Sequence, residues 1–309
     1  MPLVRPVAAI DCGTNSTRLL VADGDGQALD RQMRITRLGE GVDANGELTL
    51  EAITRTVAVL RDYRLTMDRL AVDKGRLVAT SAVRDAANGS DFMEAAAEAT
   101  GLVPELLTGV EEGRLSLSGA VTELDPKEGP FLVVDIGGGS TELVVGESAD
   151  DPLLVAVSIQ MGCVRVTERF LHSDPPAPAE LEAAEGAVAA ELDSAIAAAP
   201  RLTRAHCPIG LAGTVSTLAA LRLGLREYDR SRIHHSVLTA RDVADWYRTL
   251  ASEVAVARLD RAGMEAGRED IIVGGAMILY AVMQRFGFTE CLVSESDILD
   301  GMVGGLLSG

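Results

Sequence analysis

No apolar run in this 309-residue chain approaches the ~18–20 residues needed to cross a bilayer, so a membrane-spanning protein is not expected. The N-terminus, Met1-Pro2-Leu3-Val4-Arg5-Pro6, leads directly into a strand-like Val7–Ile10. It has neither a long apolar core nor a small-residue cleavage site, so no signal peptide is expected and a soluble, cytoplasmic protein is. Cysteine is sparse and scattered: Cys12, Cys163, Cys207 and Cys291 form no Cys-x-x-Cys pair and have no histidine at zinc spacing. This argues against structural zinc and suits a reducing compartment. Lysine is nearly absent, with Lys74 and Lys127 alone among 28 basic residues, which leaves few amines for Schiff-base or nucleotide-phosphate work. A basic stripe is missing too. Residues 1–90 balance 12 Lys/Arg against 12 Asp/Glu, so the net charge of −18 arises entirely beyond them, and a duplex nucleic-acid binder is not expected. A phosphate-rich small ligand stays possible, because arginines and helix N-termini bind phosphate inside an acidic molecule.

What is present is an ordinary globular composition, 47% hydrophobic and 24% charged, enough to bury a core. The length is about two domains' worth at ~150 residues each. Strand-like runs at Val7–Ile10, Leu19–Ala22, Leu77–Thr80, Pro104–Leu107, Phe131–Val134, His206–Leu211 and Leu292–Ser294 alternate with helical patterns. Thr49 is a good N-cap for a helix whose Leu50, Ile53, Val57, Leu60 and Met67 share a face. Ser90 and Asp91 are expected to cap a helix that Gly101 ends, and Val110–Val121 reads as helix. After Asp174-Pro-Pro-Ala-Pro178 an Ala-rich helix turns Leu181, Val188, Leu192 and Ile196 inward. The alternation predicts an α/β fold with partly parallel sheets. The break Leu124–Pro130 suggests a boundary, giving domains 1–125 and 126–296.

One internal repeat organises the rest. Val7-Ala-Ala-Ile-Asp11-Cys-Gly13-Thr-Asn-Ser16-Thr17-Arg-Leu19-Leu-Val21 matches Leu132-Val-Val-Asp135-Ile-Gly137-Gly-Gly-Ser140-Thr141-Glu-Leu143-Val-Val145 at an offset of 124. Each copy is a strand ending in Asp, a turn of glycine and hydroxyl residues, and a returning strand. A single such turn is commonly a plain hairpin. Two at domain spacing with matched aspartates indicate duplicated halves. Such turns are poor in bulk and rich in N–H and hydroxyl donors, the combination that cradles phosphate oxygens. The Asp would repel a phosphate directly and is better suited to Mg²⁺ or a bridging water.

With these residues on view, the chain resembles the exopolyphosphatase / guanosine pentaphosphate phosphohydrolase family of the actin, sugar-kinase and heat-shock chaperone ATPase superfamily. The resemblance rests on Asp11–Thr17, Thr80-Ser-Ala-Val-Arg84-Asp-Ala86, Gly109-Val-Glu-Glu-Gly-Arg-Leu115, Asp135–Leu143, Met161-Gly-Cys-Val164 and Gly210-Leu-Ala-Gly-Thr214. It implies two duplicated ribonuclease H-like domains with a substrate cleft between them, and a terminal helix, 297–309, packing back on the first. Longer members carry an added helical C-terminal region; this chain looks like the short, two-domain form.

The resemblance also implies roles. Glu112 is the family's catalytic base, and Arg84 points at phosphate oxygens. Gly13, Thr14, Asn15, Ser16, Gly137, Gly138, Gly139, Ser140 and Thr141 supply further phosphate contacts. Asp135 and Glu142 resemble the metal carboxylates, with Asp11 a third, for Mg²⁺ or another divalent cation such as Mn²⁺. Without the family, Glu111-Glu112 reads as first-turn carboxylates complementing a helix dipole, and the role of Glu111 stays open. Gly213-Thr214, opening a helix after a strand, either meets distal phosphates or only caps the helix. Arg268 resembles a further block residue and equally fits a helix start. His234-His235 is expected to lie in a loop, with diverging side chains that do not chelate together.

The expected activity is removal of terminal orthophosphate from inorganic polyphosphate by Glu-activated water with Mg²⁺. The alternatives are hydrolysis of guanosine pentaphosphate at its 5′ γ-phosphate, a small-molecule kinase of the same fold, and a non-catalytic alarmone-binding module. A homodimer is compatible with the sequence, although no interface pattern stands out.

Overall fold

The two most apolar strands, VAAIDC and FLVVDI, are buried at every position, and each becomes the centre of its own sheet. In the computed structural model, which describes residues 5–308, the chain runs β1 (Val7–Cys12), β2 (Ser16–Ala22), β3 (Ala28–Ile35), α1 (Val42–Asn45), α2 (Leu50–Arg69), β4 (Lys74–Ala79), α3 (Ser81–Asp85), α4 (Gly89–Thr100), β5 (Pro104–Leu106) and α5 (Gly109–Ala120). There follow β6 (Phe131–Ile136), β7 (Thr141–Gly146), β8 (Val155–Ile159), α6 (Cys163–Phe170), α7 (Pro178–Ala198), β9 (Cys207–Leu211), α8 (Ala212–Leu223), α9 (Arg230–Ile233), β10 (Val237–Thr239), α10 (Ala240–Ala251), α11 (Ala255–Leu259), α12 (Ile272–Phe286), β11 (Glu290–Val293) and α13 (Ile298–Ser308). Two compact units result. The first holds the residues up to Gly119 and those from Ile298 onward; the second is Ala120–Asp297. No helix among the described residues is long and apolar enough to cross a membrane.

The first unit has the strand order β3-β2-β1-β4-β5, with β1 antiparallel to β2 and parallel to β4. Because successive strand residues face opposite sides, β1 feeds two apolar layers. Ala8, Ile10 and Cys12 meet Leu60, Tyr63 and Met67 of α2 and Phe92 and Ala96 of α4. Val7 and Ala9 meet Ile298, Leu299, Met302 and Val303 of α13 on the other side.

The second unit has the order β10-β11-β9-β6-β7-β8. Read as β8-β7-β6-β9-β11 it reproduces the first sheet: β6 is antiparallel to β7 and parallel to β9, and β9 is parallel to β11 as β4 is to β5. The repeat seen in the sequence is thus a repeat of topology. Its core combines the central strands with α7, α8, α10 and α12, the last of these buried along most of its length.

Some local expectations need correction. Thr49 does cap α2, accepting from the Ala52 amide, but Leu50 is exposed because the first helical residue lies at the helix mouth. The N-cap position of α4 is Asn88, not Ser90 or Asp91. Its side chain is drawn away to the Leu48 backbone, accepting from the amide at 2.8 Å and donating to the carbonyl at 2.9 Å. In α7 the inward stripe is Ala184, Val188, Leu192 and Ala195, with Leu181 and Ile196 only half-buried. Strands β3 and β8 were not expected. Both lie at sheet edges, and β3, ALDRQMRI, lacks the apolar run that marks the inner strands.

Candidate active site

In the first unit the turn between β1 and β2 is closed by the Gly13 amide donating to the Ser16 carbonyl at 3.0 Å. Its carbonyls are engaged from behind: Thr14 O accepts from Gly39 N at 2.9 Å, and Asn15 O from Thr36 N and Arg37 N at 3.0 and 2.9 Å. The amides of Thr14 and Asn15 meet no acceptor among the described residues. Gly39 permits this close backing, since a Cβ there would lie 2.4 Å from Thr14 Cγ2. Thr14 Oγ1 also bonds Ser81 Oγ at 2.9 Å, tying the turn to α3.

Arg84, in the last turn of α3, donates through Nη1 to the Leu107 carbonyl at 2.7 Å and lies 3.8 Å from Glu112 Oε2. Its Nη2 and the Nδ2 of Asn15 are buried donors without an acceptor among the described residues. Buried donors of this kind are costly unless a ligand satisfies them.

The adjacent glutamates divide their work. Glu111 Oε2 accepts from both the amide and the hydroxyl of Thr108, and the Glu111 amide returns a bond to Thr108 Oγ1, a reciprocal capping box at the start of α5. Donation from the Thr108 amide, then from its hydroxyl, holds the Glu111 carboxyl below the usual carboxylate range. Glu112, one residue on, turns to Arg84 instead.

The second unit repeats the turn. Gly137 N donates to Ser140 O at 3.0 Å, as in the first copy. The carbonyls are again engaged from behind: Gly137 O accepts from Cys163 N at 2.9 Å, Gly138 O from Val164 N at 2.9 Å and Arg165 N at 3.1 Å, and Gly139 O from Arg165 Nε at 2.7 Å. The amides of Gly138 and Gly139 meet no acceptor among the described residues. Gly162 plays the part of Gly39, because a Cβ on it would lie 2.3 Å from the Gly138 carbonyl oxygen. Thr141 Oγ1 donates to Met161 O and fixes the returning strand.

Asp135 stands directly across the ladder from Glu142, whereas Asp11 stands across from Arg18. Asp135 and Glu142 are buried, at 7% and 1% exposure, and Ser158 Oγ donates to Glu142 Oε1 at 2.8 Å. Asp11 Oδ2 accepts from Arg18 Nε and Nη2 at 3.1 and 2.7 Å. Arg268, also buried, lays its guanidinium on Gly213, where a Cβ would approach it to 2.0 Å, and donates from Nε to Glu265 at 2.6 Å. Gly213 sits at the β9–α8 junction beside Ala212, which adopts a left-handed φ of 66°.

The residues singled out in the sequence therefore gather within each unit. In the first, Arg84 and Glu112 pair, and Thr14 ties the turn that follows Asp11 to α3, the helix that carries Arg84. In the second, Gly137–Thr141 adjoin Cys163 of α6, whose thiol meets Thr214 and the field of Arg268. Gly39, Thr108 and Arg165 escaped sequence reading. Their service is to the backbone of a neighbouring turn, which no spacing rule reveals; only Thr108-x-x-Glu111 had a signal, as a capping-box pattern.

Two sheets of one duplicated topology, each with an Asp-ended hairpin and a turn of unused amides, define a mixed α/β protein of two like-folded units. The chain belongs to the Ppx/GppA phosphatase family, matching it over residues 20–308. A Mycobacterium tuberculosis protein named Exopolyphosphatase 2 is 42% identical over 318 residues, spanning 98% of each chain. The crystal structure of the Aquifex aeolicus Ppx/GppA family member superposes with a TM-score of 0.80 at 32% identity, covering 98% of both chains. An exopolyphosphatase from Cytophaga hutchinsonii gives 0.89 at 25% identity, covering 99% of this chain and 98% of its own.

Proposed function

We propose that this protein is an exopolyphosphatase that hydrolyses the terminal phosphoanhydride of inorganic polyphosphate and releases orthophosphate. The observation that carries the reading is the group of Glu112, Arg84 and Asn15. A carboxylate lies 3.8 Å from a guanidinium that keeps a buried, unused Nη2, and the β1–β2 turn, tied to the same helix α3 through Thr14 and Ser81, holds an equally unused Asn15 Nδ2. Glu112 accepts a proton from the attacking water. Arg84 and Asn15 bind oxygens of the reacting phosphate, and the unused amides of Thr14 and Asn15 bind further phosphate oxygens, charge-stabilising contacts of the kind phosphoryl transfer needs. Glu111, committed to its capping box, takes no part in proton transfer.

Asp135 and Glu142 fit a divalent cation. They offer oxygen donors only, and two carboxylates facing each other across a ladder repel unless a positive charge lies near. When bound, Mg²⁺ or Mn²⁺ would draw phosphate charge and reduce the repulsion met by an incoming water. Asp11, with Oδ2 held by Arg18, is the poorer ligand. Gly213, Thr214 and Arg268 serve as a further phosphate contact of the second unit. The four free thiols suit a reducing, cytoplasmic setting.

The test is phosphate release with Mg²⁺ from short polyphosphate, long polyphosphate and guanosine pentaphosphate, with Glu112→Gln alongside. Removing a general base is expected to cost about 10²–10⁴-fold in rate at unchanged melting temperature. Faster release from guanosine pentaphosphate than from either polyphosphate reassigns the substrate. Absence of release from all three, with guanosine pentaphosphate still bound, replaces the enzyme with a binding module.

A further inference from the structure

His234 and His235 do not diverge. They follow α9, with His235 in a left-handed conformation at φ 59°, and their rings stack with centroids 3.8 Å apart. The unusual backbone is pinned from both sides, His235 N donating to Val293 O at 2.7 Å and Val293 N to Ser236 O at 2.8 Å. A residue with a Cβ costs conformational energy in the left-handed region, and such strain collects where a side chain is needed in one direction. Here it brings both imidazoles to Glu123, which lies between α5 and β6. His234 Nε2 is 3.2 Å from Glu123 Oε2, and one ligand atom from each of the three residues falls within 4.8 Å of the others. His235 Nε2 is buried and has no hydrogen-bond partner among the described residues.

We propose that Glu123, His234 and His235 form a binding site for a divalent transition metal of the Zn²⁺ class. The site goes beyond the proposed hydrolase reading and does not depend on it. Two imidazoles and one carboxylate favour Zn²⁺, Co²⁺ or Ni²⁺ over Mg²⁺, which prefers oxygen alone. Three protein donors with an exposed Glu123 leave the fourth position to water, unlike the closed thiolate sites that the cysteine spacing argues against. Ligation carries a cost. The Glu295 amide donates to His234 Nδ1 at 3.0 Å, so the neutral ring keeps its proton on Nε2, pointing at Glu123. A metal at Nε2 moves that proton to Nδ1 and gives up the Glu295 bond. The site is accordingly weaker than a closed structural zinc centre. It links positions 111 residues apart in sequence, so loading stabilises the second unit by mass action.

The experiment uses the full chain, stripped with chelator, titrated with Zn²⁺ by calorimetry and with Co²⁺ by visible absorption. Wild type is expected to bind with the d–d bands of a nitrogen-ligated ion, to keep Zn²⁺ in excess Mg²⁺, and to melt at a higher temperature when loaded. His235→Ala and Glu123→Gln are each expected to weaken Zn²⁺ by at least about 10-fold, the lower bound seen even for outer-shell changes. Glu142→Gln leaves it unchanged. Glu123 is exposed and has no packing role, so its variant answers the question even if His235→Ala fails to fold. Equal Zn²⁺ affinity in wild type and Glu123→Gln, displacement by Mg²⁺, or loss of the ion in Glu142→Gln overturns the proposal.

Discussion

The two Asp-ended hairpins share a backbone but not an electrostatic plan. Each is closed by a glycine amide on a serine carbonyl at 3.0 Å, each has its carbonyls occupied from behind, and each keeps two amides unused. What differs is the residue opposite the aspartate: Arg18 in the first, Glu142 in the second. The first hairpin carries its own counter-charge and can hold a conformation without help. The second sets carboxylate against carboxylate across the ladder. Duplication conserved the cradle and changed one cross-strand position, an arginine opposite the aspartate in one copy and a glutamate in the other.

This contrast can be broken most severely at Arg18. Replacing it with Met leaves Asp11 buried beside an apolar stem and is expected to cost about 3 kcal/mol, the scale for breaking a buried pair. Chemical denaturation with unchanged m-value would register it, and a loss under 1 kcal/mol would show that Asp11 is compensated elsewhere. Next comes the backing of the turns. Gly162→Ala places a methyl 2.3 Å from a backbone oxygen, whereas Gly39→Ala meets side-chain carbons first. Overpacking of this sort costs about 1–3 kcal/mol, with Gly162 the more damaging because a peptide must move. Phosphate release should fall with it.

Smaller still is the change at Glu142. Glu142→Gln removes the facing like charge and should stabilise the chelator-treated protein by about 0.2–1 kcal/mol, while abolishing any rise in melting temperature on adding Mg²⁺. A Mg²⁺ response equal to wild type would move the cation away from this pair. The slightest effect is at Glu111. Its carboxyl is depressed by the Thr108 donors, so its contribution is complete above the unfolded value of about 4.3 and fades as pH falls through the lower folded value. The difference in melting temperature between wild type and Glu111→Ala should therefore be present at neutral pH and shrink in acid. A difference that grows in acid would contradict the capping box.

How much of this could be read beforehand depends on whether a feature is local. The buried strands β1, β6 and β9 announce themselves as apolar runs, and the hairpins as a matched pair of motifs, because composition along a short stretch dictates both. Edge strands such as β3 are half solvated and carry no such run. Glu112 and Arg84 were legible through resemblance alone; residues 84 and 112 have no spacing that brings them together, and the ends of β4 and β5 do so. The histidine pair lies in a loop, as its sequence suggests, but the stacking of its rings was not legible because the left-handed turn at His235 follows from its anchoring to Val293, a contact made across the sheet.

The first unit takes its last helix from the far end of the chain. Residues Ile298–Val303 cover Val7, Ala9 and Leu20, and Gly301 comes so close to α5 that a Cβ would lie 2.2 Å from the Leu115 carbonyl. During synthesis at about 5–20 residues per second, the opening segment must therefore wait on the ribosome for some 180 further residues before its apolar face is sealed. The second unit, contiguous in sequence, can finish first. Order of emergence and order of completion are thereby reversed, and a nascent chain halted before Ile298 would offer that bare sheet to chaperones.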